Sequence, residues 1–458
     1  MEETIAAITT APGTAGVGII RISGPEAAAV ADRVFRSKNK KALAQRPTYT
    51  VTYGHIYGDK EQLIDEALAL TMWEPRSFTG ENVVELQCHG GSVVLRKILE
   101  LVLANGARLA EPGEFSKRAF LNGRLDLSQA EAIQELITAK TEKGVQAAAR
   151  NLVGGISDKV KELRKKVLEI TAYLEADIDY PEDDFERLEP EELENRLSVI
   201  IEELKKILSS YENGKIIRDG LKTVLAGRPN VGKSSLLNAL LQEKRAIVTD
   251  IPGTTRDVIQ EYYNLGGIPI VLHDTAGLRQ TDDEVEKIGV EMTRELIKES
   301  DLILYVIDST SDYGSEDEAH LKELPVEKTL VLVNKIDLLE EHEKWQLPES
   351  LKSYTVVFIS AKEGQGLDDL TRIISQMFIE PQSDKGEEPL LTNLRQKEAL
   401  SQAHNSLQSA VSGIRAGLDA DFISIDLRTA WESLGEVTGD TLGDDIIGQI
   451  FSQFCLGK

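Results

Sequence analysis

The chain has 458 residues, which suits about three domains and cores that hold without disulfide staples. Its formal charge of −25 argues against a generic nucleic-acid coat, because binding a polyanion relies on released counterions, so any RNA contact is local or shared with a more basic partner. The only cysteines are Cys88 and Cys455, the N-terminus is acidic, and no apolar stretch approaches the roughly 20 residues of a membrane span, which points to a reducing, cytoplasmic setting.

From Thr4 to about Arg118 the pattern is α/β. Strands are predicted at Thr4–Thr10, Val17–Ser23, Tyr49–Ile56, Leu68–Trp73 and Val83–Cys88, and a helix from Ser92 to about Ala104. From Leu127 to about Tyr211 the period changes to long helices, with Leu163, Val167, Ile170 and Leu174, then Leu193, Leu197, Ile200, Leu204 and Ile207, spaced by three and four. Between these stripes, Glu175–Glu194 holds eleven acids and one basic residue, Arg187, and reads as a solvated loop broken by Pro181 and Pro190. A nucleotide-binding unit follows, ending before the linker Pro381–Gly386. Helical sequence returns at Leu391–Ile414 and Phe422–Phe454. The fold class is therefore multi-domain α/β plus α. Residues 1–118 form an α/β domain, 119–214 and 381–458 are two halves of one helical domain, and 215–380 are a Ras-like P-loop unit inserted between them.

The nucleotide-binding reading rests on Gly227-Arg228-Pro229-Asn230-Val231-Gly232-Lys233-Ser234-Ser235, which matches G-x-x-x-x-G-K-[ST] between the apolar run Leu221–Ala226 and a helical run. Such a loop wraps backbone N–H groups around a triphosphate, with Lys233 bridging the outer phosphates and Ser234 ligating magnesium. Four partner motifs follow in order. The switch-like loop is Thr249, Asp250, Ile251, Pro252, Gly253, Thr254, Thr255, Arg256 and Asp257; Asp274-Thr275-Ala276-Gly277 ends the strand Ile268–Leu272. Asn334-Lys335-Ile336-Asp337 closes Thr329–Val333, and Ser360-Ala361-Lys362 closes Val356–Ile359. Asp337 resembles the guanine reader of GTPases, whose carboxylate accepts from the base N1–H and exocyclic amine. Adenine lacks that donor pair, so GTP is favoured.

Outside this unit, Gly16–Gly24, Cys88-His89-Gly90-Gly91, Glu111–Phe115, Asn122–Leu127 and the terminus Phe454-Cys455-Leu456-Gly457-Lys458 resemble the MnmE family, also called TrmE, over essentially the whole chain. The resemblance implies a tRNA-modifying GTPase working with a flavin-dependent (FAD) partner, MnmG or GidA, in a heterotetramer. Its product would be an aminomethyl-type group on carbon 5 of the wobble uridine. The resemblance further implies a homodimer whose N-terminal domains bind a 5-formyl or 5,10-methylene tetrahydrofolate. Arg21, Glu85, Arg124 and Lys458 match the folate positions. Ser234 and Thr255 match magnesium ligands, and Asn230, Thr249, Ile251 and Thr254 match a potassium site.

Several residues keep two readings. Leu278 stands where Ras-like proteins place a water-orienting Gln. Glu286, the family's match for that task, is otherwise one acid in the first turn of a helix. Arg256 is either an arginine finger or a surface partner of Asp257, while Asn230 suggests an ion in the finger's place. His89 beside two glycines is a metal ligand or part of a packed turn. Cys455 is either a small residue capping the helical domain or, with Lys458 beside it, a nucleophile or acid for tRNA modification. Against the tRNA-modifying reading stands a regulatory or ribosome-assembly GTPase switch; the N-terminal α/β segment and the Cys-Leu-Gly-Lys tail are features such a switch does not need.

Overall fold

The structure, a computed structural model, describes residues 3–179, 189–242, 261–273, 296–311, 313–339, 345–378 and 389–458. Its first sheet follows from alternation of apolar and polar residues along the N-terminal strands. The strands are β1 (Ile5–Ile8), β2 (Ala15–Ser23), β3 (Phe35–Ser37), β4 (Thr50–Tyr57), β5 (Leu63–Met72), β6 (Val83–Gly90) and β7 (Arg108–Leu109), in the order β3-β4-β5-β6-β2-β1-β7. Neighbours are antiparallel except β1 with β7. The two edge strands, of 3 and 2 residues, were too short to leave a periodic signal. Ala6, Ile20, Ile22, Val84 and Leu86 bury one sheet face against the helices Ala27–Val34 and Ser92–Ala104. Their alternates Ile5 and Ala7 pack on the opposite face against Phe115 and Phe78. Arg21 and Glu85 are cross-strand partners of the same parity as this second set, which turns them away from the helix-covered core.

The helical sequence on either side of the nucleotide-binding segment returns to one compact unit, Met1–Ile137 with Asn151–Lys205 and Glu398–Lys458. Within it, helix Gly155–Asp179 runs antiparallel to Ala420–Thr438, with Arg164 over the Trp431 ring at 4.1 Å and Arg428 Nε donating to Glu175 at 2.8 Å. The expected loop Glu175–Glu194 is helical at both ends. Residues up to Asp179 continue one helix and Pro190 opens the next, where its missing N–H costs nothing in the first turn, while 180–188 lie outside the described residues. The expected run Phe422–Phe454 is two helices, because Gly439, at φ 88°, ends the first and the second spans Asp444–Ser452.

The second compact unit is Thr138–Arg150 with Lys206–Lys397. Its strands β8 (Leu221–Ala226), β9 (Glu261–Leu265), β10 (Ile268–His273), β11 (Leu302–Asp308), β12 (Thr329–Asn334) and β13 (Thr355–Phe358) take the order β13-β12-β11-β8-β10-β9. All pairs are parallel except β9 with β10. Continuous apolar strands such as β12, buried at every position, are what a sheet covered on both faces demands. Successive strands depart to opposite sides of β8, so the crevice past its C-terminal end is where ligands bind in such folds. Among the described residues no helix is long and apolar enough to cross a membrane.

Candidate functional site

Strand β8 delivers the chain to Gly227, and helix Lys233–Gln242 begins at the loop's end. Both loop glycines are required. A Cβ on Gly227 (φ 131°) would lie 2.3 Å from the Val306 carbonyl oxygen, and one on Gly232 (φ 101°) 2.2 Å from Asn334 Nδ2. Asn230 is left-handed at φ 63°, which Asn tolerates better than most residues. The Lys233 ammonium donates to the Gly227 and Arg228 carbonyls at 2.7 and 2.6 Å, so its charge sits in the mouth of the loop. Ser234 and Ser235 are exposed on the first helical turn.

The loops after β12 and β13 are tied to this phosphate loop. Buried Asn334 donates from Nδ2 to the Val231 carbonyl at 2.9 Å and accepts the Ala361 N–H at 2.9 Å, bridging two motifs by one side chain. Lys335, left-handed at φ 66°, donates to the Asn230 carbonyl at 3.0 Å and to Asp308 at 2.6 Å. Burial acts to raise the Asp308 carboxyl, but Lys335 and the Thr310 hydroxyl and N–H together hold it below its ordinary value. Ser360 Oγ donates to Asp337 Oδ1 at 2.6 Å, which orients that carboxylate. Lys362 projects into solvent beside Glu363 at 3.5 Å. Asp308 went unnoticed in the sequence, although it ends an apolar run just as Asp274 and Asn334 do. Thr249, Asp250, Ile251, Pro252, Gly253, Thr254, Thr255, Arg256, Asp274, Thr275, Ala276, Gly277, Leu278 and Glu286 lie outside the described residues.

In the other unit, Arg21, Glu85 and Arg124 line one cavity of about 350 Å³, with Tyr49, Met72, Phe78 and the chain between. That volume suits a small ligand. Arg21 Nε donates to Glu85 Oε1 at 2.8 Å, and the Arg21 guanidinium lies over the Phe78 ring at 4.6 Å. Arg124 donates to the Phe78 carbonyl at 2.9 Å and faces the same ring at 5.1 Å. Phe78 is thus the centre of the arrangement, and no sequence pattern marked it. Its loop is pinned by Arg118, which is 6% exposed and donates to Glu81 at 3.1 Å and Glu114 at 2.9 Å, and by Asn122 donating to the Thr79 carbonyl at 2.8 Å.

Lys458 is not part of the cavity lining, yet its ammonium is held below its ordinary value by burial and then by the neighbouring Arg21 charge, with Cys455 acting the other way. The C-terminal tail is anchored. The Phe115 N–H donates to the Lys458 carbonyl at 3.0 Å, the Gly113 N–H to the Cys455 carbonyl at 3.4 Å, and a Cβ on Gly457 would meet the Ile8 oxygen at 2.5 Å. The last helix, expected to run to Phe454, ends at Ser452, and the tail beyond it is irregular chain. Cys455 is exposed, with Gln134 Nε2 at 3.8 Å from its sulfur. Cys88 is buried, and burial pushes its thiol up to about 12, so it stays protonated and inert. His89 lies on β6 rather than in a packed turn, and its Nδ1 is 2.6 Å from Asp65 Oδ1. Among the described residues no cluster of three metal-ligating side chains occurs.

The family described as "MnmE helical domain" matches residues 127–455, and that described as "GTP-binding protein TrmE N-terminus" matches residues 4–124. The chain is 48% identical to the tRNA modification GTPase MnmE of Carboxydothermus hydrogenoformans, with 100% of both chains covered. It is 50% identical to the protein of the same name from Symbiobacterium thermophilum, again with 100% of each covered. Among solved structures, the G domain of the T. maritima FeoB iron transporter is 27% identical, covering 34% of this chain and 96% of that one at a TM-score of 0.25. Full-length identity of this order, on top of the phosphate loop and the N-terminal and helical domains, means that the chain belongs to the MnmE (TrmE) family of tRNA modification GTPases.

Proposed function

We propose that this chain hydrolyses GTP as one component of a tRNA-modifying enzyme. With a flavin-dependent partner, MnmG, it adds an aminomethyl or carboxymethylaminomethyl group to carbon 5 of the wobble uridine, and the carbon comes from a tetrahydrofolate. The observation that carries this reading is the cavity where Arg21, Glu85, Arg124 and Phe78 converge, because a nucleotide switch alone has no use for one. A carboxylate 11% exposed beside an aromatic ring suits the amino and ring N–H groups of a pterin, while Arg21, Arg124 and Lys458 suit the glutamate tail. The folate supplies a one-carbon unit when bound. Glu85 orients it, Phe78 and Met72 exclude water, and the Cys455 thiol on the anchored tail is the reacting group of the chain.

In the nucleotide unit, Lys233 neutralises the outer phosphates and Asp337, held by Ser360, selects guanine. The exposed Ser234 hydroxyl on the first helical turn, with Thr255, suits magnesium. Left-handed Asn230, with Thr249, Ile251 and Thr254, suits potassium, which offsets charge developing between the phosphates. Glu286 orients the attacking water, and two G domains meet across a homodimer that joins two partner subunits in a heterotetramer. The domain bounds at 118, 214 and 380 belong to this reading. Nucleoside analysis of tRNA from cells lacking the protein tests it: wobble uridines should be unmodified, and normal tRNA with defective ribosomal subunits would overturn it in favour of an assembly switch. Turnover should be much faster in potassium than in sodium, and equal rates with Asn230→Ala unaffected would remove the ion from the mechanism.

A further inference from the structure

Between Arg33 and Arg46 the sequence carries six basic residues and no acidic one, in a chain whose formal charge is −25. A charge run is usually a solvated face, and the run Lys159–Lys166 fits that description. There Lys161 pairs with Asp126 at 2.8 Å, and Lys166 with Glu162 at 2.8 Å and Glu203 at 3.2 Å. The N-terminal run differs. Arg36 is satisfied by Glu61 at 2.9 Å, but Lys38, Lys40 and Lys41 are exposed and form no ion pair among the described residues. The nearest acid in sequence, Asp32, spends its carboxylate on the Leu43 N–H at 3.0 Å.

The turn that presents these lysines is ordered from below. Ser37 Oγ donates to Asn39 Oδ1 at 3.1 Å and to the Lys41 carbonyl at 2.9 Å, the Lys41 N–H donates to Asn39 Oδ1 at 3.2 Å, and Arg46 also donates to Asn39. Lys40 is held left-handed at φ 57°. The end of the segment is fixed to the rim of the cavity: the Trp73 indole N–H donates to the Arg46 carbonyl at 2.7 Å, the Trp73 N–H to Thr48 Oγ1 at 3.0 Å, and Tyr49 lines the cavity itself. Three lysines within four residues of an ordered turn repel one another, and a polyanion relieves that repulsion. We propose that the Lys38–Lys41 turn contacts the phosphate backbone of the tRNA beside the cavity, an inference that rests on tRNA modification as the function.

The test uses the full-length protein with Lys38, Lys40 and Lys41 all changed to Gln, set against an unmodified tRNA transcript by fluorescence anisotropy from about 50 to 200 mM salt. Affinity should fall by about tenfold or more, and the slope of log affinity against log salt should drop by about 2 to 3. The triple Arg variant should bind as the parent does. GTP turnover and 5-formyltetrahydrofolate binding should be unchanged, which establishes that the Gln variant is folded. A Gln variant with the parent's affinity and slope overturns the proposed contact and leaves the functional reading standing. A parent protein that binds no tRNA even with its flavoprotein partner, yet binds phosphatidylserine vesicles through these lysines, overturns both.

Discussion

The nucleotide loops take their groups from the ends of β8, β11, β12 and β13, each motif within a few residues of its strand, whereas the N-terminal cavity gathers Arg21, Glu85, Phe78 and Arg124 from four separated stretches. The first site uses backbone as much as side chains: the Gly227, Arg228, Asn230 and Val231 carbonyls all accept bonds from Lys233, Lys335 or Asn334. The second takes Arg21 and Glu85 from one face of an antiparallel sheet, fixed by register, and Phe78 and Arg124 from loops beside it. Backbone-built sites demand particular residues at particular spacings and leave motifs. Side-chain sites built across strands demand only that the register bring suitable groups together.

The comparison breaks most visibly at the C-terminal tail, proposed to serve the second site alone. Cys455→Ser keeps size and most packing, so GTP turnover and folding should survive while modified wobble uridine disappears; tRNA that is still modified normally would leave Cys455 as packing only. Next in size is Asp337→Asn, which removes a charged acceptor from two donors of the guanine base at about 1.5–3 kcal/mol each, so GTP affinity should fall by about 100-fold or more. Binding of 5-formyltetrahydrofolate should not change, and a loss in both would show that the two sites are not independent.

A smaller effect is expected for Glu85→Ala. In the proposed folate site it would leave pterin donors and the Arg21 guanidinium without their acceptor, at about 1.4 kcal/mol, or roughly tenfold in folate affinity by calorimetry. Undiminished affinity would put the pterin elsewhere. The smallest concerns the exposed His89. The hydrogen bond that the ring Nδ1–H donates to the Asp65 carboxylate, then that carboxylate's charge, raise the imidazole above its ordinary value. A raised histidine contributes stability fully below the ordinary histidine range and loses it as pH rises through the raised value. Thermal unfolding of His89→Gln should therefore lose a slight downward slope in that window, and parallel profiles for parent and variant would show that the pair contributes nothing.

Much of the fold was legible because burial imposes periodicity. The stripe Leu163, Val167, Ile170 and Leu174 is buried as its spacing requires, and so are the parallel strands on either side of the phosphate loop. Edge strands of two or three residues and the helix break at Gly439 were not, since neither leaves a repeating apolar pattern. The acidic run at Glu175–Glu194 misled for a different reason: charge describes the solvent face of a helix as well as it describes a loop, and Pro190 opens a helix as readily as it ends one.

By itself, the sequence located the strands Leu221–Ala226, Ile268–Leu272, Thr329–Val333 and Val356–Ile359 of the nucleotide unit and the phosphate-loop and guanine-reader motifs that follow them, because a backbone cradle works only with glycine, lysine and carboxylate at set positions. It named Arg21, Glu85 and Arg124 only through likeness to a family. Tertiary structure alone decided that β2 and β6 pair so that Arg21 faces Glu85, that Arg118 and Asn122 hold Phe78 between two guanidiniums, and that Asp308 serves Lys335. Those contacts join residues far apart in the chain, and no local periodicity carries information about a partner set by strand register.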